Sequence, residues 1–219
     1  MTDFAHLRRR MVEEDLRARG VRDYSVLRAM GTVPREAFVP EGLRGRAYDD
    51  SPLPIGDGQT ISQPYIVAFM VEALAPAGDD KALEVGSGSG YAAAVLASIC
   101  REVYAIERIE RLAVTGADAL GKLHIRNVHV RYDDGSQGWA DAAPFDVIMV
   151  SAGAPSVPET LKAQLAIGGR MVIPLGAGPR VQELARITRK SQHEYIREDL
   201  ADVRFVPLIG REGWGLEAL

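Results

Sequence analysis

Between Lys81 and Pro174 the apolar residues come in short, nearly unbroken runs, each followed by a longer stretch of mixed character. The runs are Lys81–Val85, Glu102–Glu107, Val128–Val130, Phe145–Val150 and Arg170–Pro174. Runs of that length without polar alternation suit strands covered on both faces. The stretches between them, about Ser89–Ile99, Glu110–Lys122 and Pro158–Leu165, suit helices. This alternation predicts an α/β fold on a doubly wound, mostly parallel sheet. Beyond it, Gln182–Arg189 and Ile196–Phe205 have no helix between them, which predicts an antiparallel C-terminal hairpin.

The first part of the chain reads differently. Residues 3–19 place Phe4, Leu7, Met11, Val12 and Leu16 near helical spacing, with Gly20 as a stop. A second helix is predicted from Tyr24 to Met30, ending at Gly31. The run Arg8-Arg9-Arg10 reads as a solvated helix face. Val33–Pro40 is bracketed by prolines, and residues 41–53 are irregular. From Leu53 to Pro64, Gly56 and Gly58 predict a mobile loop, fixed at its ends by Pro54 and Pro64. Pro64 suits the first turn of a helix that runs apolar to Leu74. The expectation is a single domain over 1–219. In it a helical N-terminal appendage and functional loop, 1–76, join a sheet core, 77–219.

The composition is ordinary for a globular chain, with 47% hydrophobic and 26% charged residues. The net charge of −4 argues against broad nucleic-acid binding. The lone cysteine, Cys100, excludes an intrachain disulfide and reads as a buried structural thiol. No run approaches a membrane span, and no apolar signal core follows the arginines. A cytoplasmic protein without membrane or nucleic-acid partners is expected. His6, His124, His129 and His193 are scattered, so no metal site is expected.

The densest chemistry lies at Glu84-Val85-Gly86-Ser87-Gly88-Ser89-Gly90. Glycines at every second position after a strand allow a sharp turn and close approach of a ligand to backbone N–H groups. A bare strand-to-helix turn needs only one glycine. A dinucleotide fingerprint needs a third glycine at position 91, which is Tyr91. Glu107 ends the next strand, 21 positions after Gly86, where a carboxylate can accept from two ribose hydroxyls. Asp133-Asp134-Gly135 follows the third strand, at the level of a base; taken alone it reads as an ordinary turn. Glu84 sits inside an apolar strand, where a charge needs a partner: the turn itself or a cationic part of a ligand. Ser62 reads either as the cap of the following helix or as part of a carboxylate site. No G-x-S-x-G elbow surrounds it.

The E-x-G-x-G-x-G turn resembles the first motif of class I S-adenosylmethionine-dependent methyltransferases, which implies a Rossmann-like methyltransferase sheet. Along nearly the whole chain the sequence resembles one family of that class, protein-L-isoaspartate (D-aspartate) O-methyltransferase. Val33–Val39, Pro54-Ile55-Gly56, Gln59–Pro64, Glu84–Gly90, Gly168–Arg170, Pro174–Gly176 and Val203–Leu208 carry the resemblance. It implies Ser62 as the active-site residue. It implies cofactor contacts at Thr60, Ile61, Gln63, Glu84, Gly86, Ser87, Gly88, Gly90, Glu107, Arg108, Asp134 and Gly135. Substrate contacts are implied at Ser62, Val206, Pro207 and Leu208. Asp133 departs from the family's usual glycine and bears on the adenine contact. The implied activity is methyl transfer from S-adenosyl-L-methionine to the free α-carboxylate of isoaspartyl residues in damaged proteins and peptides, by a monomer. Three rivals are weighed: a class I methyltransferase acting on a small molecule or RNA, a nicotinamide-dependent oxidoreductase, and a non-catalytic S-adenosylmethionine-binding module. The Gln59–Pro64 loop speaks against the first and Tyr91 against the second.

Overall fold

The computed structural model describes residues 2–178 and 181–216. The chain opens with helix α1 (Phe4–Arg10), which Asp3 caps by accepting from the His6 N–H at 2.9 Å. It continues as a π-helical segment, Met11–Arg17, that buries Met11, Val12 and Leu16. Helix α2 (Tyr24–Thr32) is capped by Asp23 and buries Val26, Leu27, Ala29 and Met30. The arginine run is only partly solvated: Arg9 and Arg10 are exposed, but Arg8 is not. Arg8 faces the segment after α2, donating to the Tyr48 hydroxyl at 2.7 Å and to the Glu36 carboxylate at 2.9 Å.

The loop expected to be mobile is a two-stranded ribbon, β1 (Leu53–Gly56) and β2 (Gln59–Ile61). Asp57 and Gly58 form its turn with φ of 49° and 69°, the left-handed pair that a tight hairpin requires. The Asp57 carboxylate pairs with Arg111 at 2.7 Å, which ties the turn to the sheet domain. Helix α3 (Pro64–Leu74) follows directly.

Seven strands form the main sheet. They are β3 (Lys81–Val85), β4 (Glu102–Glu107), β5 (Val128–Tyr132), β6 (Phe145–Val150), β7 (Leu165–Gly178), β8 (Val181–Arg189) and β9 (Tyr195–Val203). Their order is β5-β4-β3-β6-β7-β8-β9, parallel through β7 and antiparallel beyond. Helices α4 (Tyr91–Ala97), α5 (Glu110–Lys122) and α6 (Glu159–Ala163) connect the parallel strands. The last strand ends two residues before the expected Phe205, because the Gln182 side-chain amide takes both the N–H and the carbonyl of Phe205.

Successive side chains of a strand point to opposite faces, and the core divides accordingly. Ala82, Val103, Ala105, Val147 and Met149 pack under α3, α4 and the N-terminal helices in one cluster. Leu83, Val85, Ile106, Ile148 and Val150 pack with Leu161 of α6 in the other. The chain leaves β3 for β4 on one side and reaches β6 on the other. The C-terminal ends of β3 and β6 therefore open a crevice, the usual place for a ligand in such sheets.

Helix α5 braces this crevice from behind. A Cβ on Gly116 would stand 3.1 Å from the Gly88 carbonyl oxygen and 3.3 Å from Ser89 backbone, so the helix touches the turn backbone to backbone. A β-branched residue there forces them apart. Gly116→Val is expected to destabilise the protein by about 1–3 kcal/mol through overpacking. That corresponds to a melting-temperature loss on the order of 5 °C in a thermal scan.

Candidate active site

The turn after β3 is pinned from its neighbour strand. The N–H groups of Gly86 and Ser87 both donate to the Ile106 carbonyl, at 2.8 and 3.1 Å. Gly86, Gly88 and Gly90 all take positive φ, at 79°, 52° and 84°. Gly90 leads straight into α4. Glu107, buried at the end of β4, accepts from the Gly88 N–H at 2.8 Å and from the Ile109 N–H at 2.9 Å. Its carboxylate is thus fixed in place. The other lone pairs of its two oxygens remain for a pair of hydroxyls.

A cleft extends from this carboxylate between Ile106, Arg108, Gly135, Ala152 and the segment Val206–Ile209. Lined by the polar Glu107 and Arg108 together with the apolar Ile106, Ala152 and Leu208, it suits a nucleoside. Asp134 stands beside the cleft without lining it. One carboxylate oxygen of Asp134 accepts from the Ser136 N–H and hydroxyl, and the other from the Arg211 N–H at 2.7 Å. Asp134 therefore fastens the C-terminal segment to the rim, and Gly135 is the member of the pair that lines the cleft. Asp133 points to solvent and accepts from the Asp134 N–H at 2.8 Å.

At the other end of the glycine turn lies a smaller recess lined by Thr60, Ile61, Ser62, Glu84, Ser87 and Ser151, among others. Glu84 is buried there, with one oxygen at 3.3 Å from the Ser151 hydroxyl and the other, Oε2, without a partner. Burial, helped by the nearby Glu107 charge, pushes its carboxyl up to about 8, against the opposing pull of the Ser151 hydroxyl and the Ala93 backbone N–H. With an unpartnered oxygen on a residue that lines the recess, Glu84 can accept from a cationic group placed there, giving up its proton as it does so.

A third, broader groove runs outward past Ser62, Gln63, Ile66 and the segment Asp202–Pro207. Ser62 lies at the junction of recess and groove, half-buried. It does not cap α3. The cap position is Gln63, which makes no capping bond, and the free Tyr65 N–H is taken by the Asp50 carboxylate at 3.2 Å. The Gln63 amide nitrogen also turns to Asp50, at 2.6 Å, placing that side chain on the groove side, away from the glycine turn. Val206 and Pro207 line both groove and cleft, whereas Leu208 belongs to the cleft alone.

Two polar residues line all three spaces: Thr60, which was expected, and Ser151, which was not. Ser151 follows β6, and its N–H donates to the Val85 carbonyl at 2.8 Å. Only the adjacency of β3 and β6 in the sheet reveals it, and a single sequence carries no signal of strand order. Cys100 is buried, and that burial pushes its thiol up to about 12, as suits a structural side chain. Among the described residues no three metal-ligating side chains come together, and no helix is long and apolar enough to cross a membrane.

The chain is similar to known proteins in sequence and in fold. The family model for protein-L-isoaspartate (D-aspartate) O-methyltransferase matches residues 7–213. A protein-L-isoaspartate O-methyltransferase of Rhodopseudomonas palustris (strain HaA2) is 62% identical over 97% of this chain and 87% of its own length. One from Marinobacter nauticus is 56% identical over 97% of both chains. A solved protein-L-isoaspartate O-methyltransferase superposes with a TM-score of 0.84 at 29% identity, covering 94% of this chain and 67% of that one. A Plasmodium falciparum protein solved in complex with S-adenosyl-L-homocysteine superposes at 0.80 and 28% identity, over 95% and 99% of the two chains. With a family match over nearly its whole length and relatives this similar, the chain belongs to the protein-L-isoaspartate (D-aspartate) O-methyltransferase family.

Proposed function

We propose that the glycine turn, the Ser62 loop and the groove beside residues 202–207 together carry methyl transfer from S-adenosyl-L-methionine to the free α-carboxylate of L-isoaspartyl residues in damaged proteins and peptides. The observation that carries this reading is the junction at Ser62. A recess with an unpartnered carboxylate, a nucleoside-shaped cleft and an open groove all meet within reach of Thr60, Ser62 and Ser151. The site fits the cofactor. Glu107 suits the ribose hydroxyls, the cleft by Gly135 and Leu208 suits adenine, and Glu84 Oε2 suits the ammonium of the methionine part. Gly86, Ser87, Gly88 and Gly90 shape the turn around it, and Arg108, Ile61 and the Asp134 loop form its walls. Tyr91, which stands where a dinucleotide fingerprint has glycine, is buried against Phe38 at 5.7 Å between ring centres.

An isoaspartyl link routes the main chain through the side chain and leaves the α-carboxylate free. With a pKa of roughly 3.5–4 that group is ionised at neutral pH and needs no general base. The bound cofactor supplies a methyl group already activated on a sulfonium. The protein's task is to hold one carboxylate oxygen on line and keep water out. Ser62 does the holding: its hydroxyl has no hydrogen-bond partner among the described residues, and it faces both recess and groove. The substrate main chain lies along residues 203–207. The Val206 carbonyl and the Leu208 N–H are already bonded to Gly153 on the inner side, which keeps that wall extended. The N-terminal segment 1–76 and the sheet core thus act as one catalytic unit. A cytoplasmic monomer acting on proteins, not nucleic acid, is the state we assign; the net charge of −4 supports the last part.

The direct test is transfer of labelled methyl to two synthetic peptides that differ only in one isoaspartyl or normal aspartyl link. Base-labile label on the isoaspartyl peptide alone is expected; equal label on both, or none, removes the reading. Ser62→Ala should lower kcat at least tenfold, on the order of one lost charge-assisted hydrogen bond. Its S-adenosyl-L-homocysteine affinity, measured by calorimetry, should stay near that of the native protein.

Glu84 makes the site pH-sensitive. Its folded pKa, about 8, lies above the ordinary value of 4.5, so the ligand-free fold binds the proton more tightly than the unfolded chain does. Stability from this group is present at low pH and is lost as pH rises from near 4.5 to near 8. Cofactor binding has the opposite sign, because the ammonium pairs with the ionised form. Affinity for S-adenosyl-L-homocysteine should rise between pH 6 and 8, and Glu84→Gln should flatten that rise while removing the stability loss. A variant with the native pH profile in both measurements would exclude Glu84 as the ammonium partner.

A further inference from the structure

Arg35 is a fully buried cation without a salt bridge. It opens a short 3-10 turn at Arg35–Phe38, is 0% exposed, and packs its guanidinium over the Tyr91 ring at 4.8 Å. Its Nε donates to the Ala47 carbonyl at 2.7 Å and its Nη2 to the Ser62 carbonyl at 2.8 Å. The third nitrogen, Nη1, has no partner among the described residues. Both of these acceptors are backbone carbonyls, and Tyr91, then Tyr48 and Asp50, add electrostatic support without an ion pair among the described residues. An arginine stays charged even when buried, so this is a positive centre with little compensation.

The Ser62–Gln63 peptide is trans, so its carbonyl and its N–H point in opposite directions. The carbonyl is aimed at Arg35. The Gln63 N–H is therefore aimed away from it, and it meets no protein acceptor among the described residues. A cation on a peptide carbonyl polarises the unit and strengthens its N–H as a donor. Both residues of this peptide line the groove.

We infer that Arg35 is a positioning residue for the methyl acceptor: its buried guanidinium fixes and polarises the Ser62–Gln63 peptide, so that the Ser62 hydroxyl and the Gln63 N–H receive an anionic carboxylate. The inference rests on the reading that the Ser62 loop holds the substrate carboxylate. Lysine cannot replace it fully, because one ammonium does not present the planar fork that spans the Ala47 and Ser62 carbonyls.

The test compares charge selectivity, which a purely structural role leaves untouched. The full-length protein, saturated with S-adenosyl-L-homocysteine, is titrated with an isoaspartyl peptide and with the same peptide carrying an α-carboxamide instead. The native protein should prefer the carboxylate. In Arg35→Gln that preference should fall about tenfold, the scale of a lost charge-assisted contact, while carboxamide binding stays within about twofold. Equal weakening of both peptides, or an undiminished preference, overturns the inference. If Arg35→Gln does not fold, Arg35→Lys decides. Retained carboxylate preference with lowered kcat and a native melting temperature supports the inference, and native kcat overturns it. Ser62→Ala separates the two levels. Native turnover and preference in that variant would remove the site reading itself, whereas an impaired Ser62→Ala beside a native Arg35→Gln removes only the role of Arg35.

Discussion

Backbone that leaves a parallel sheet must find hydrogen-bond partners outside any ladder, and in this chain carboxylates meet much of that need. Glu107 takes the N–H groups of Gly88 and Ile109, Asp50 takes Tyr65 together with the Gln63 amide, and Asp134 takes Ser136 and Arg211. Each bond fixes a segment that no strand or helix would hold. Because charge-assisted bonds to backbone are stronger than neutral ones, three short side chains suffice to immobilise the turn, the active loop and the rim. The site is built less from side chains aimed inward than from main chain held still by acids behind it.

Glu84 and Arg35, both buried near the junction, sit in contrasting environments. Glu84 is raised toward neutrality by its surroundings and keeps one oxygen open. Arg35 keeps its charge, with its hydrogen bonds going to carbonyl dipoles. A recess beside an acceptor for cations suits the cofactor's ammonium, and a loop backed by positive potential suits an anionic acceptor. No general base is needed beside them, because the acceptor arrives ionised and the donor arrives activated.

Much of this was legible from residue order. The strand runs from Lys81 to Pro174, the glycine turn and Glu107 declared themselves because periodicity and spacing are local properties. The C-terminal hairpin followed from the lack of an intervening helix. What sequence reading missed depended on contacts between distant segments. Ser151 acquires its place only because β6 lies beside β3. Arg8 looked solvated because a charge run gives no hint of Tyr48 and Glu36 opposite. Gly56 and Gly58 by themselves suggest mobility at 53–64, although the Asp57-Gly58 dipeptide is itself a hairpin signal. The bonds from Asp134 to Ser136 and Arg211 fasten the C-terminal segment, a role that no local pattern announces.

The segment around Val206 and Pro207 is a party wall, one side toward the nucleoside cleft and the other toward the groove. It is held from beyond by Gly153, by Trp214 on the same Gly153 carbonyl, and by Glu212 on Ser136. Ligands in the cleft and in the groove would meet the same two residues from opposite sides. A substitution at Val206 or Pro207 therefore reaches both spaces at once, so a change of shape made for one ligand is felt by the other.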